Sequence, residues 1–372
     1  MSVAHWLRLR LAQGIGPTLA QRLVDFCGNV ADAAEASART LQNIKGIGGA
    51  KASSIETALR VAREDVKREL DLADRLGVAI IHRDDPSYPM LLAQIPDPPS
   101  VLWVRGELTD AGGIGVVGSR DCSTYGRGQA ERFATWLAGA GFTIISGGAR
   151  GIDAAAHRGA LRHPDGRTIA VLGCGVDVAY PREHEPLYAE IAERGCVLSD
   201  YPLRTPPIAQ NFPPRNRIIS GLSRGVLVVE AAARSGASIT ARLAATEHGR
   251  TVFALPGQVD NPLSHGPHQL IRDGATLVTE PADIPGELGP LPDMPPREAT
   301  TLFEPQATKA LPALSDEERT VVDALEATAA DADTLADRSG LPIHVVTRCL
   351  TTLTLKGVAE RAEGNQYRRI SS

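Results

Sequence analysis

The sequence predicts a doubly wound α/β protein built on a Rossmann-like parallel sheet. Between about residues 76 and 280, nine short apolar runs alternate with helical segments such as Gly128–Ala138 and Ile239–His248. Most of these runs are apolar throughout, as expected when helices cover both faces of a parallel sheet. Several end in a loop of small and charged residues, which is typical of strand-to-helix turns. The predicted strands are Val78–Ile81, Leu102–Arg105, Ile114–Val117, Phe142–Ile145, Ile169–Leu172, Cys196–Leu198, Val226–Val229, Val252–Ala254 and Thr276–Val278.

Residues 1–75 precede the sheet domain and are predicted to form an all-helical, helix-hairpin-helix (SAM-like) module. Two similar glycine turns, Gly14–Pro17 and Gly46–Gly49, are each followed by a helical pattern, at Thr18–Phe26 and Ala50–Leu72. Such hairpins can present backbone N–H groups to a DNA phosphate without reading bases. The alternative is a protein-interaction module, since ten basic and seven acidic residues make its first 70 residues only mildly basic.

The sheet domain, residues 76–280, is followed by a predicted linker and a small C-terminal domain. Residues 281–312 contain eight prolines and show no clear periodicity. Residues 313–372 are predicted to form three helices and a β-hairpin around Gly364-Asn365, a winged-helix-like pattern. Acidic residues outnumber basic ones ten to seven over 311–372, so we favour a protein-interaction or vestigial role over duplex DNA binding. The three helices are predicted at 315–325, 334–339 and 343–356. A capping box formed by Ser315 and Glu318 is predicted at the start of the first of them.

The segment Phe142–Ala156 is the most informative part of the chain. A β-branched run is followed by the glycine loop Ser146–Gly151 and then by Ala-rich helical sequence. Glycines allow close approach of the backbone to an oxyanion, and a helix start offers unpaired N–H groups. We therefore expect a phosphorylated ligand at this loop, although a single loop of this kind could also be a plain tight crossover.

Similar loops at other strand ends are expected to converge with it. The carboxyl ends of parallel strands share one edge of the sheet, where ligands of open α/β sheets bind. Ser119 and Arg120 follow one predicted strand, Arg150 follows the next, and Glu230 follows a later one. Ser235–Ala241 then opens another helix with hydroxyls and glycine. Two further loops add the cations Arg182, Arg215 and Arg217.

Composition and motifs exclude several classes of protein. The net charge of −5 excludes a uniformly basic DNA-coating protein, so nucleic-acid binding must depend on a local patch. Five cysteines without C-x-x-C spacing, no secretory signal and no membrane-length apolar run fit a cytoplasmic protein without membrane contact. The motifs G-x-x-x-x-G-K-[ST] and G-x-G-x-x-G are absent, and no metal cluster stands out. We therefore expect neither ATP hydrolysis nor nicotinamide chemistry, and we expect no cofactor.

Three titratable residues near the loops need interpretation. Asp153 and Glu230 are expected to orient arginines or cap helices rather than to act as catalytic acids. His157 lies on the helix after the glycine loop and is expected to be a packed core histidine rather than a base.

Seven motifs of the predicted sheet domain are GSR (118–120), SGGARGIDAAAH (146–157), YPR (180–182), FPPRNRIISGLS (212–223), VVEAAARSGASITA (228–241), GRTVFALPG (249–257) and LIRDGA (270–275). Together these motifs resemble the DNA-processing protein A family, also called DprA or Smf. They occur in the expected order over nearly all of the predicted sheet domain. The resemblance implies a non-enzymatic protein that binds single-stranded DNA without sequence preference and helps load RecA recombinase during natural transformation and recombination. It also implies a homodimer formed through the extended Rossmann-like domain.

The resemblance also implies a set of DNA-binding residues. The GSR motif gives Arg120 as a contact to the strand backbone, and YPR gives Arg182 at a DNA-contacting position. Arg150, Arg215 and Arg217 are included by extension, although Arg215 and Arg217 could instead be buried and structural. The chain departs from the family pattern at His184, Gln258 and His268, where asparagine is usual. The complete implied set is Ser119, Arg120, Gly147, Gly148, Arg150, Gly151, Arg182, Arg215 and Arg217.

The residues by themselves are also compatible with two other functions. A Rossmann-like phosphoribohydrolase acting on nucleoside monophosphates would use Glu230 as its acid, and a scaffold would leave the pocket empty. Only 4% of residues are aromatic, so base stacking is limited to candidates such as Tyr125, Tyr180 and Phe212. Phosphate contacts should dominate single-strand binding, which should therefore weaken steeply with salt.

Overall fold

The computed structural model describes residues 2–109, 112–233, 235–289, 314–325, 330–356, 358–361 and 366–369. The chain divides into two compact units, Met1–Arg297 and Glu298–Ser372. In these described ranges, no helix is long and apolar enough to cross a bilayer.

The first unit opens with the expected helical module. Gly14 and Gly46 adopt φ values of +82°, a left-handed conformation that favours glycine, at its two turns. Gly16 and Gly48 then occupy the N-cap positions of the helices that follow, which confirms both glycine turns. The core of the module surrounds the fully buried Leu7. The helices are α1 (Ser2–Leu11), α2 (Pro17–Cys27), α3 (Val30–Ala34), α4 (Ala38–Leu41) and α5 (Gly49–Leu76).

A nine-stranded sheet follows, and every predicted strand is present. Its order is β1-β2-β6-β5-β4-β3-β7-β8-β9, and the seven strands from β6 to β9 in this order are parallel. The expectation of parallel pairing is wrong for β1 and β2, which pair antiparallel with each other, while β2 also pairs antiparallel with β6. The strands are β1 (Ala79–His82), β2 (Val101–Gly106), β3 (Gly113–Val117), β4 (Thr143–Ser146), β5 (Thr168–Val171), β6 (Cys196–Ser199), β7 (Ser223–Val228), β8 (Thr251–Ala254) and β9 (Thr276–Leu277).

Helices cover both faces of this sheet. Phe133 and Ala156, from the helices that follow β3 and β4, pack on one face, whereas Ile218 and Ala241 pack on the other. The helices are α6 (Met90–Ala93), α7 (Thr124–Gly139), α8 (Ile152–Arg162), α9 (Glu185–Arg194), α10 (Phe212–Leu222), α11 (Gly236–Arg242), α12 (His265–Arg272) and α13 (Asp283–Leu288). Short 3₁₀ turns lie at Arg182–His184, Ala209–Asn211 and Pro262–Ser264, and a π-helical turn at Leu243–Glu247 extends α11.

One helix, α7, begins earlier than the periodicity predicts because a serine cap sets its start. The Ser123 Oγ accepts a hydrogen bond from the Gly126 N–H at 3.0 Å, so α7 begins at Thr124. Ser235 caps α11 in the same way, through the Ser238 N–H. Both caps lie at the carboxyl edge of the sheet, where the chain order reverses between β3 and β7. A reversal of this kind creates the crevice in which ligands of such sheets bind.

The start of the predicted linker is instead helical, since α13 occupies residues 283–288. Residues 290–313 lie outside the described residues. In the second unit, three helices and two paired strands confirm the winged-helix-like pattern, and the Ser315/Glu318 capping box is present. The predicted hairpin turn at Gly364-Asn365 lies outside the described residues. The elements are α14 (Asp316–Ala324), α15 (Ala332–Ser339), α16 (Ile343–Leu355), β10 (Ala359–Arg361) and β11 (Tyr367–Arg369).

His157 of α8 is a core histidine, as expected. It is fully buried, and its Nδ1–H donates to Thr168 Oγ1 at 2.7 Å, since that hydroxyl donates onward to the Ile144 carbonyl. Burial lowers the pKa of His157 to about 3. This buried, uncharged ring is suited to packing rather than to proton transfer at neutral pH.

The buried His157 predicts a pH-dependent stability. An unfolded chain protonates this imidazole below about pH 6.5, whereas the folded chain does not until about pH 3, so unfolding takes up a proton between these values. We expect the free energy of unfolding in urea to fall on acidification below pH 6.5, by about 1.4 kcal/mol per pH unit from this group. His157→Asn, which can keep the bond to Thr168, should show a shallower fall. Identical pH profiles for the two proteins would contradict the assignment.

Candidate nucleic-acid interface

A cleft of about 540 Å³ lies at the reversal point of the sheet. This volume is in the usual range for small-ligand pockets. Five parts of the chain line it: residues 117–120 at the end of β3, residues 149 and 153 around the start of α8, Tyr180, the stretch 207–219, and residue 232 with residues 235–240 at the start of α11. The sheet edge therefore brings together loops that are far apart in sequence, as expected.

The loop after β3 carries Ser119 and Arg120 into this cleft. The Ser119 N–H donates to the Glu230 carbonyl at 2.6 Å. Glu230 also accepts two hydrogen bonds through its carboxylate, from the Ser123 N–H at 2.8 Å and the Ser123 hydroxyl at 2.6 Å. One residue at the end of β7 therefore holds both ends of the loop that presents Arg120.

Glu230 is consequently a structural group, in line with the sequence-based expectation. It is 3% exposed and does not line the cleft. Gly126 makes room for it, because a Cβ at Gly126 would lie 2.3 Å from the carboxylate. A hydrolase acid at Glu230 would need access to a substrate, which this burial prevents.

Residues 119–123 form the Arg120 loop, and Glu230→Gln tests how much the hydrogen bonds from Ser123 to the Glu230 carboxylate stabilise it. The amide keeps the shape but weakens the acceptor, so we expect a destabilisation of about 1–2 kcal/mol, from the loss of hydrogen bonds to a charged group. Urea unfolding measures this change. Glu183→Gln, at an exposed carboxylate that forms an ion pair with the exposed Arg150, serves as the control and should leave stability nearly unchanged, because exposed ion pairs contribute little. Equal effects of the two substitutions would contradict the structural role.

Aromatic and guanidinium groups form one wall of the cleft. The rings of Tyr180 and Phe212 lie 5.4 Å apart and are tilted by 50°. The Arg120 guanidinium lies 5.6 Å from the Phe212 ring centroid, and that of Arg215 lies 5.8 Å from it. Tyr180 is 41% exposed and Arg120 is exposed, so a ligand can reach both an aromatic face and a cation.

Arg215 lies at the floor of the cleft rather than at its surface. It is 4% exposed, and its Nη1 donates to the Gly147 carbonyl at 2.7 Å and to the Val171 carbonyl. Burial raises the pKa of Asp153 and lowers the pKa of Arg215, and the opposite charge of each group opposes the shift of the other. Arg215 joins the ends of β4 and β5, and it also contributes charge to the cleft.

The three glycines of the loop provide space for neighbouring groups. A Cβ at Gly147 would lie 2.6 Å from both the Arg215 guanidinium and the Asp153 carboxylate. Gly148, at φ +69°, accepts hydrogen bonds at its carbonyl from the Tyr188 hydroxyl and the His184 Nδ1–H. These glycines shape the cleft from behind, since none of the three lines it.

Gly151 contacts the Arg120 loop directly. It has φ +73°, and a Cβ on it would lie 2.2 Å from the Ser119 carbonyl oxygen and 2.5 Å from that of Arg120. The N–H of Ile152, the first residue of α8, donates to the Ser119 carbonyl at 3.1 Å. The expectation that this helix start offers unpaired N–H groups is therefore wrong for Ile152.

The remaining predicted arginines differ in placement. Arg150 and Arg182 are exposed and do not line the cleft, although Arg150 follows the lining residue Ala149. Arg150 forms an ion pair with Glu183. Arg217 is 7% exposed, lies outside the cleft and pairs with Asp200 at 2.7 Å. Arg217 therefore has no direct access to a ligand in the cleft.

Sequence reasoning missed several supporting residues. Ser123 anchors the Arg120 loop, and its position three residues before Gly126 in a helix start was a readable capping signal. Tyr188 and Asn216 gave no local signal, because their partners, the carbonyls of Gly148 and Gly236, are distant in sequence. Among the described residues, no group of three His, Cys, Asp or Glu side chains could hold a metal ion.

Comparison with sequence families identifies all three parts of the chain. The family described as DNA recombination-mediator protein A matches residues 79–289, and a DprA winged helix domain matches residues 305–365. A SAM-like helix-hairpin-helix tandem matches residues 8–60. These matches agree with the helical module, the sheet domain and the winged-helix-like domain.

Individual relatives and solved structures agree with this result. The protein Smf of Escherichia coli is 43% identical over 323 residues, covering 83% of this chain and 82% of that protein. The DNA processing protein DprA of Streptococcus pneumoniae is 45% identical over 205 residues, 55% of this chain and 72% of that protein. Its X-ray structure matches with a TM-score of 0.69 and 34% identity, covering 77% of this chain and 98% of that one. DprA of Helicobacter pylori, from a structure describing its single-stranded DNA binding mode, matches with a TM-score of 0.51 and 29% identity, covering 57% and 95%.

Proposed function

The chain belongs to the DNA recombination-mediator protein A family, and on this premise we propose that its cleft binds single-stranded DNA without sequence preference. One observation carries the proposal: the exposed Arg120 and the Tyr180–Phe212 pair line the same cleft, with the Arg215 charge behind them. Binding of unpaired strands needs cations for the backbone and aromatic faces for the bases, and this cleft supplies both. The Helicobacter pylori relative, whose structural description names single-stranded DNA binding, supports the same ligand.

We assign the predicted residues different parts in this binding. Ser119 and Arg120 contact a phosphate in the cleft, while Arg150 and Arg182 guide the strand along the rim. Gly147, Gly148 and Gly151 make room for Arg215, Tyr188 and the Arg120 loop, and Arg215 attracts the backbone from below. Arg217 acts only indirectly, because its guanidinium is held between Asp200 and Asp97.

We propose that the protein is a recombination mediator rather than an enzyme. It would act in the cytoplasm as a homodimer and help load RecA recombinase onto the bound strand during DNA uptake and recombination. The family description as a recombination mediator supports this role. The burial of Glu230 argues against the alternative phosphoribohydrolase, because that acid could not reach a nucleotide in the cleft.

Fluorescence anisotropy with a labelled deoxythymidine oligomer and a matched duplex tests the proposal. We expect preferential binding of the single strand and a steep loss of affinity between about 50 and 200 mM salt. Preference for duplex, or affinity independent of salt, would contradict it. Release of free base from nucleoside monophosphates would instead support the hydrolase.

A further inference from the structure

The helical module contacts the segment after β6 through Arg10, near the end of α1. The Arg10 guanidinium donates two hydrogen bonds to the Asp200 carbonyl, from Nε at 3.0 Å and from Nη2 at 2.6 Å. Its Cζ also lies 5.8 Å from the ring centroid of Tyr201. Arg10 thus contacts two consecutive residues of the segment after β6, although it is about 190 residues distant in sequence.

That segment is in turn bonded to α10 at two places. The Asp200 carboxylate pairs with Arg217 in the middle of α10 at 2.7 Å, and both side chains are at least nine-tenths buried. The Tyr201 hydroxyl donates to the carbonyl of Asn211, the N-cap residue of α10, at 3.3 Å. Movement of the Asp200–Tyr201 segment would therefore reach both the start and the middle of this helix.

The helix and the turn before it form the aromatic wall of the cleft. Seven residues of this stretch line it, and Phe212 and Arg215 among them belong to the cation–aromatic cluster. The lining residues of this stretch are Pro207, Ala209, Phe212, Pro213, Arg215, Asn216 and Ile219. The cleft wall is thus connected to α1 through part-buried hydrogen bonds of Arg10 and Tyr201 and through the buried Asp200–Arg217 ion pair.

We infer that Arg10 is a positioning residue for single-stranded DNA binding: it holds the Asp200–Tyr201 segment and thereby fixes the position of α10. The helical module is then part of the binding machinery without touching the strand. Arg10 does not line the cleft, and its guanidinium is engaged by the Asp200 carbonyl. This inference rests on the proposed function for its binding effect, but the fixing of α10 can be measured without DNA.

Two variants separate positioning from direct contact. Arg10→Ala removes the fastening, and Arg39→Ala removes an exposed arginine of the same module as a charge-matched control. We expect Arg10→Ala to weaken single-strand binding about threefold to tenfold, as for the loss of one or two hydrogen bonds, with the slope of log affinity against log salt unchanged. Arg39→Ala should bind as the wild type does. If Arg10→Ala bound single strands as tightly as Arg39→Ala, the inference would be overturned. A salt slope reduced by about 0.7 in Arg10→Ala would also overturn it, because such a reduction indicates that a phosphate contact was lost.

Amide hydrogen exchange in the DNA-free protein gives the independent readout. We expect faster exchange over residues 207–217 in Arg10→Ala than in Arg39→Ala or the wild type. Tyr201→Phe, which keeps the ring and removes the hydroxyl donor, should speed exchange near Asn211 alone. Unchanged exchange in Arg10→Ala would contradict the claim that Arg10 fixes the position of α10, even if DNA binding became weaker. If the wild type did not bind single strands but Arg10→Ala still exchanged faster over residues 207–217, the proposed function would be refuted. The positioning of α10 by Arg10 would nevertheless be supported.

Discussion

Arg120→Glu is expected to weaken single-stranded DNA binding by about 10- to 100-fold, because hydrogen bonds to charged groups contribute about 1.5–3 kcal/mol. The charge reversal removes a phosphate contact and also repels neighbouring phosphates. Arg120 is exposed at the cleft, and the bonds that hold its loop in place involve Ser119, Ser123 and Glu230 rather than its own side chain. The substitution should therefore leave the fold intact. Anisotropy titrations at several salt concentrations measure the loss, and the salt slope should become shallower by about 0.7 or more.

Arg158→Glu is the matched control for this experiment. Arg158 is an exposed arginine on α8, the helix that follows the glycine loop, and it does not line the cleft. Its reversal changes the net charge by the same amount and should reduce affinity by no more than about twofold through long-range electrostatics. If Arg120→Glu bound single strands as tightly as Arg158→Glu, the cleft would not be the binding site.

The fold could be predicted from the sequence wherever local signals are strong. Continuous apolar runs located all nine strands, and serine at the start of α14 located its capping box. The direction of β1 and β2 could not be predicted, because an apolar run indicates that both faces of a strand are covered and does not record the direction of its neighbour. The paired residues of β2 and β6 are about 90 positions apart in sequence, so no local sequence pattern could predict this pairing.

The candidate site could be predicted only as a set of converging loops. Arginines at strand ends indicated a cationic edge, and the structure brings Ser119, Arg120 and Arg215 to one cleft. Whether an arginine is exposed depends on partners elsewhere in the chain. Arg215 meets the carbonyls of Gly147 and Val171, and Arg217 meets Asp200. These contacts exist only once the sheet has assembled, so sequence spacing could not separate Arg217 from the ligand-facing groups.

The glycine loop shows how such a motif can be misinterpreted. Its pattern favours close approach of a phosphate to the backbone, yet in this structure the space at its glycines is filled by protein groups. Gly147 lies against Arg215, Gly148 against Tyr188, and Gly151 against Ser119. The loop therefore determines where the Arg120 loop and Arg215 lie, and we expect it to affect ligand binding through them.

Gly151→Ala is consequently expected to be among the most damaging substitutions in the chain. Its φ of +73° is unfavourable for alanine, and the added methyl would lie 2.2 Å from the Ser119 carbonyl oxygen. Backbone strain and overpacking each cost about 1–3 kcal/mol, so we expect a destabilisation of about 2–4 kcal/mol in urea unfolding. Because the atoms that must move belong to the Arg120 loop, molecules that remain folded should also bind single strands more weakly.

Gly128→Ala provides the control, since Gly128 lies within α7 and a Cβ there would meet nothing within 4 Å. Alanine favours a helix interior over glycine by about 0.5–1 kcal/mol, so this variant should be as stable as the wild type or slightly more so. The pair distinguishes a general intolerance of glycine replacement from a specific collision at the Arg120 loop. If Gly151→Ala were as stable as Gly128→Ala and bound DNA normally, the backbone of residues 119 and 120 would have to be adaptable. In that case the close packing of the glycine loop could not be what holds Arg120 in its binding position.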